Sequence, residues 1–337
     1  MLVTIGITTY DRISLLEDTI QSVLKQTFSD FKIIVANDNP KRTLSFDNLA
    51  IPKDSRVEIV NHKVNLGEIE NLNWLMNNAS TPYFTWLADD DLLHPKYLDV
   101  LLAELQSTSN CKAAYSNYIS GEYPPNDFWT SSIVGNFESL STQEFLLRYS
   151  DRSLNLIGCY GLFELEQLKR MGGFRSLGTG YSPGGDTLIP ILLSSYTQIN
   201  YIDLALVFFR SHAGSMSIAA NNLTSFTTAE FDFIAYGKNS IDVCSPDARK
   251  IIYINFRKWF QDNHLTVAKR QAGSKILKMA YLFWQSERSN YLFFRPYNLG
   301  TLQNISFFIG TILLLFLTLG KAYLFPKTRR KIRNYFK

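Results

Sequence analysis

The strongest constraint on this chain is an alternation of strand and helix patterns through its first hundred residues. Leu2-Val3-Thr4-Ile5-Gly6-Ile7-Thr8 is apolar and β-branched, and Ile13, Leu16, Ile20, Val23 and Leu24 follow at helical spacing. Residues 31–36, 57–60 and 83–88 repeat the strand pattern, and residues 68–78 and 95–105 the helical one. Such alternation predicts an α/β fold, a mostly parallel, Rossmann-like sheet flanked by helices. Ligands in these sheets sit outside the carboxyl ends of the strands. Three polar clusters follow strands: Thr8 to Arg12, Asn37-Asp38-Asn39, and Asp89-Asp90-Asp91. All three are expected to face one crevice.

The hydrophobic fraction of 46% suffices for a sizeable core and excludes a disordered chain. The net charge of +4 is a local matter. Lys327, Arg329, Arg330, Lys331, Arg333 and Lys337 lie in the last eleven residues, and without them 28 basic residues face 30 acidic ones. A nucleic-acid partner is not expected, because a binding face would carry the excess, not a tail. Cys111, Cys159 and Cys244 are too few and too scattered for a disulfide framework or a zinc site. The chain opens on a buried-strand pattern with no basic leader, so the catalytic part is expected in the cytoplasm.

Residues 111–217 mix strands and helices less regularly, and 123–136, with two prolines, read as a loop or flap. Residues 224–289 read as helical. No charge occurs between Arg295 and Lys321, and residues 305–319 form an apolar heart. A buried core helix is one reading of it. The flanking aromatics, among them Trp284, Tyr297 and Tyr323, and the basic tail favour a membrane. Lys275, Lys278, Arg288 and Arg295 put basic residues on the near side as well. A re-entrant or interfacial helix on the cytoplasmic face is therefore expected in preference to a simple crossing. The expected divisions are 1–217, a helical extension at 218–298, and a membrane-associating helix with basic tail at 299–337.

Three successive carboxylates at the end of an apolar strand repel one another and need a cation, hydrogen bonds or solvent. Hard divalent ions take such oxygens together with substrate phosphates. The plainer reading has Asp91 capping the helix near Pro95, with its two neighbours solvated.

The surrounding motifs resemble the inverting glycosyltransferases of family 2, which have a GT-A fold. Ile7-Thr8-Thr9-Tyr10-Asp11-Arg12 is similar to the family's first strand and "T-Y-N-R" turn, and Ile33-Ile34-Val35-Ala36-Asn37-Asp38 to "I-I-V-x-D-D". Asn65-Leu66-Gly67 with Asn71 resembles "N-x-G-x-x-x-N", and Asp89-Asp90-Asp91-Leu92 with Pro95 the "D-x-D" region. Met171-Gly172-Gly173-Phe174, Gly185-Asp186, and Arg210-Ser211-His212 with Ser215 and Ser217 resemble "x-G-G-F", "E-D" and "R-x-H-x-x-S-x-S". These motifs keep the family's order through residues 2–217. Asn37 departs from the pattern by replacing an acid, which alters one base-recognition contact.

The resemblance implies transfer of a sugar from a nucleotide-sugar donor to an acceptor hydroxyl with inversion, helped by Mn²⁺ or Mg²⁺. It assigns the general base to Asp186, although Asp186 also fits an N-cap for residues 187–194. It places Thr8, Tyr10, Asp11, Arg12, Asn37, Asp38, Asn65, Gly67, Asn71 and Asp89 around the donor. Asp90, Asp91 and His212 fall to the metal or diphosphate. Leu92 and Pro95 favour Asp90 as ligand, while the other register pairs Asp89 with Asp91. The implied acceptor is a glycan or lipid-linked saccharide of cell-envelope assembly.

A sugar-1-phosphate nucleotidyltransferase would need a glycine-rich turn after the first strand, which is absent here. A processive synthase would carry "Q-x-x-R-W", of which Arg257-Lys258-Trp259 is a fragment. A catalytically silent, membrane-bound nucleotide-sugar-binding protein is disfavoured by the acid triplet and Asp186.

Overall fold

The computed structural model describes residues 1–107, 110–130, 135, 137–178, 184–212 and 223–270. Ser215, Ser217, the last part of the helical extension, and the expected membrane helix and tail lie outside the described residues. Among the described residues no helix is long and apolar enough to cross a membrane.

The first half follows the alternation in the sequence. It runs β1 (Val3–Thr9), α1 (Ile13–Leu24), β2 (Phe31–Asn37), β3 (Val57–Asn61), α2 (Glu68–Asn78) and β4 (Tyr83–Ala88). A short β5 (Leu92–Leu93), α3 (Tyr97–Ser107) and a long β6 (Cys111–Gly121) come next. The expected flap holds a 3-10 turn at Asn126–Trp129, whose Phe128 is buried. The chain continues as β7 (Phe137–Leu140), α4 (Thr142–Ser150), β8 (Leu162–Glu164), α5 (Leu165–Met171), α6 (Gly185–Ser194) and β9 (Gln198–Arg210). Helices α7 (Leu223–Asp242) and α8 (Pro246–Arg270) complete it.

The sheet is ordered β3-β2-β1-β4-β8-β6-β9-β5, with β7 also on β9. The pairs β3–β2, β2–β1 and β1–β4 are parallel, with α1 crossing between β1 and β2. Beyond β4 the sheet is mixed: the long β6–β9 pair is parallel, in line with the expected mostly parallel sheet, and short antiparallel pairs are added to it. Strand β8 inserts antiparallel between β4 and β6, and β5 and β7 pair antiparallel with β9. These added strands have two to four residues, too short to show a period in the sequence.

Alternate residues of each strand feed cores on opposite faces. Ile33 and Val35 pack with Leu16, Ile20 and Leu101 on the α1/α3 face. Ile34 and Ala36 pack with Leu72 and Leu75 on the other. Phe233, Phe256 and Phe260 of α7 and α8 join Leu188 and Leu193 of α6 in that second core.

Candidate active site

Register places the functional clusters together. Thr8 stands between Ala36 of β2 and Ala88 of β4, so the turns that follow β1, β2 and β4 open side by side at one edge of the sheet. Strand β9 brings His212 to the same edge.

The acid triplet is buried: Asp89, Asp90 and Asp91 are 0%, 7% and 1% exposed. Each carboxylate has its own partners. Thr9 Oγ1 donates to Asp89 Oδ2 at 2.6 Å. The Arg12 guanidinium pairs with Asp89 and, at 2.5 Å, with Asp90 Oδ2. His212 Nε2 lies 3.0 Å from that same Asp90 oxygen. Asp91 accepts from the Tyr160 hydroxyl and, at 2.7 Å, from the Arg210 backbone N–H. Burial pushes the Asp91 carboxyl up to about 8, Asp90's charge adds to this, and the Tyr160 and Arg210 bonds oppose it. Burial also raises Asp89, against the pull of Arg12 and Thr9. Arg12 is raised in net: burial disfavours its charge, but Asp89 and Asp90 outweigh that.

Asp91 does not cap α3. The free N–H of Leu98 in that helix goes to Gln26 Oε1 at 2.9 Å.

Beside the triplet, Asp38 accepts from the backbone N–H groups of Leu66 at 2.7 Å and Gly67 at 2.9 Å. Asn65 Oδ1 also accepts from Gly67. Asn71 Nδ2 donates to the Ala36 carbonyl, and Asn37 Nδ2 to the Arg42 carbonyl at 2.6 Å. These side chains therefore shape the connection from β2 to α2. Asp11 pairs with Arg42 at 2.9 Å, and Tyr10 is 53% exposed. Thr8, Arg12, Asp90, Asp91 and Asp186 line one cavity of about 410 Å³.

Asp186 lines this cavity from helix α6. Gly184 is the N-cap of α6 at φ +84°, a left-handed conformation that glycine adopts without strain. Asp186 thus falls in the first helical turn, which corrects its reading as an N-cap. The loop before β8 comes close here: a Cβ on Gly158 would lie 1.8 Å from the Asp186 carbonyl oxygen. Burial raises the Asp186 carboxyl, while backbone hydrogen bonding from Thr187 and the charge of Arg152 lower it.

The sequence reading missed several lining residues. Glu68 opens α2 on the cavity wall. Solvent reaches it, but the walls displace enough water that desolvation, with Asp186's charge second, pushes its carboxyl up to about 7. Arg152, at φ +69°, holds its guanidinium 5.0 Å over the Trp259 ring, and both line the cavity. Glu68 follows Asn65-Leu66-Gly67 directly, which was a usable signal. Tyr160 and Arg152 carried none, since their partners lie far away in sequence.

Residues 4–166 match glycosyl transferase family 2. The matched stretch covers the sheet edge through the acid triplet and stops short of Asp186 and His212. An uncharacterized glycosyltransferase of Haemophilus influenzae is 27% identical over 146 residues, 40% of this chain and 45% of that protein. One of Rickettsia felis is 32% identical over 98 residues, 29% of this chain and 16% of that protein. The alignments thus span under half the length of these curated relatives. Among solved structures, S. aureus TarS 1-349 in complex with UDP-GlcNAc aligns with a TM-score of 0.61 at 14% identity, covering 86% of this chain and 82% of that one. At that identity the likeness speaks for the fold alone.

Proposed function

We propose that this protein transfers a sugar from a nucleotide-sugar donor to an acceptor hydroxyl by a single inverting displacement assisted by a divalent cation. The observation that carries this reading is that one cavity joins Asp90 and Asp91 of the acid triplet to Asp186. The TarS neighbour was solved with UDP-GlcNAc, which supports a nucleotide-sugar donor here.

The residues fit a hard divalent ion. Asp90 Oδ2 and His212 Nε2 converge to 3.0 Å, and Mg²⁺ or Mn²⁺ sites commonly add substrate phosphate oxygens to one or two protein ligands. Among the described residues no group of three or more His, Cys, Asp or Glu side chains is arranged as a metal site, so the protein's share is this pair. Asp91 is held by Tyr160 and Arg210, which leaves Asp90 as the ligand in the register that Leu92 and Pro95 favour. When bound, a divalent ion supplies Lewis-acid stabilisation of the departing diphosphate.

Asp186 takes the proton from the acceptor hydroxyl as that oxygen attacks the anomeric carbon. Burial raises its proton affinity, which makes it a better proton acceptor than an ordinary exposed carboxylate. The acceptor is a glycan or lipid-linked saccharide approaching past Trp259, and residues 299–337 hold the enzyme at the cytoplasmic face of a membrane. Cell-envelope glycan assembly is the pathway that combines these features.

The test is turnover of a panel of nucleotide sugars by wild type, with and without chelator, and by Asp186→Asn. Wild type should release nucleoside diphosphate only with Mn²⁺ or Mg²⁺. Asp186→Asn should still bind donor and turn over roughly 10²–10⁴-fold more slowly. Full turnover in chelator, or an unchanged rate in Asp186→Asn, contradicts the reading.

A further inference from the structure

Asp90 offers its Oδ2 to two groups at once, and one of them is a cation. Arg12 Nη1 sits 2.5 Å from that oxygen, and His212 Nε2 sits 3.0 Å from it. The other arm of the same guanidinium neutralises Asp89, which is fully buried. A divalent ion on His212 Nε2 would meet Asp90 first at Oδ2, the oxygen that Arg12 also holds, next to a repelling positive charge.

The rest of the cluster is fixed independently of Arg12. Thr9 Oγ1 holds Asp89, and Tyr160 with the Arg210 N–H holds Asp91. Thr19 Oγ1 holds the Asp91 carbonyl at 2.9 Å. Arg12 differs from these partners: its side chain is 33% exposed, stands at the N-cap of α1, and lines the cavity. A guanidinium on a cavity wall can trade carboxylates for a diphosphate, because its planar fork matches both.

We propose that Arg12 is a positioning residue that neutralises Asp89 and Asp90 until the donor's diphosphate draws it away, freeing Asp90 for the divalent ion. Metal and nucleotide then bind as a coupled pair, and metal alone binds weakly. The inference rests on the reading of Asp90 and His212 as the ion's protein ligands.

Mn²⁺ binding to the full chain, read from the electron paramagnetic resonance of free Mn²⁺, tests it. UDP and GDP serve as diphosphate probes, with Mn²⁺–nucleotide formed in solution subtracted. In wild type the probe that binds should tighten Mn²⁺ binding about tenfold or more, within the usual span of coupling between two ligands. Arg12→Gln should bind Mn²⁺ without nucleotide about tenfold more tightly than wild type, and nucleotide should tighten it by a smaller factor than in wild type, the part its phosphate oxygens contribute directly. Arg12→Lys keeps the charge but cannot bridge both acids, and should fall between them. Asp90→Asn should lose the site throughout.

Equal nucleotide-free affinities in wild type and Arg12→Gln, with the site lost in Asp90→Asn, overturn the exchange and leave Asp90 as ligand. Binding untouched by Asp90→Asn, or absent throughout, overturns the ligand reading and the inference with it. Circular dichroism checks that each variant folds. If Arg12→Gln does not, absence of nucleotide–metal coupling in wild type overturns the proposal by itself.

Discussion

Asp186 and Glu68 share a cavity, and each carboxyl is held above its ordinary range. A general base acts only when deprotonated, so kcat/KM should rise with pH along a limb above about pH 4, where free carboxylates titrate. Asp186's charge raises Glu68, and the interaction is mutual. Glu68→Gln removes a negative neighbour and should move the acid limb of kcat/KM to lower pH. A limb that stays in place would show that the two carboxylates do not couple. At this scale the sequence was informative where a motif carried a whole cluster, as at Asp89-Asp90-Asp91. It was silent on partners brought from far along the chain. Nothing near Tyr160 or Arg210 shows that they bind Asp91, because burial and a tertiary contact create that bond. Asn37, Asn65, Asn71 and Asp38 were legible as a group, but their dense bonding around the β2–α2 connection emerges only from the fold.

At the scale of elements, α6 carries Asp186 and is seated by contact with the loop before β8. No side chain fits on Gly158, where a Cβ would lie 1.8 Å from the Asp186 carbonyl. Gly158→Ala must shift α6 or the loop, and such overpacking costs about 1–3 kcal/mol. A lower denaturation midpoint together with a lower kcat is expected. An unchanged midpoint would mean that the loop yields freely. The elements of the first half were legible because period-2 and helical patterns there are long. Strands β1, β2 and β4 begin and end within a residue of where the pattern puts them. Strands β5, β7 and β8 were not legible, since pieces of two to four residues pair only because longer strands offer them an edge.

At the scale of the described fold, the candidate cavity sits on a mixed sheet, and Trp259 of α8 lines it together with Asp186. Beyond residue 270 the sequence still carries the uncharged run before Lys321 and the six-cation tail. Flotation with vesicles tests their role. The full chain should float with anionic vesicles. Replacing Lys327, Arg329, Arg330, Lys331, Arg333 and Lys337 with Gln should weaken this binding by about 1 kcal/mol per charge near the surface. Binding equal on neutral and anionic vesicles would remove the electrostatic part of the anchor. The central claim, a single displacement driven from Asp186, is tested most directly by proton NMR of the first product formed from an anomerically pure donor. The sugar released or transferred is expected with its anomeric configuration inverted, and a product that retains the donor's configuration would contradict the account.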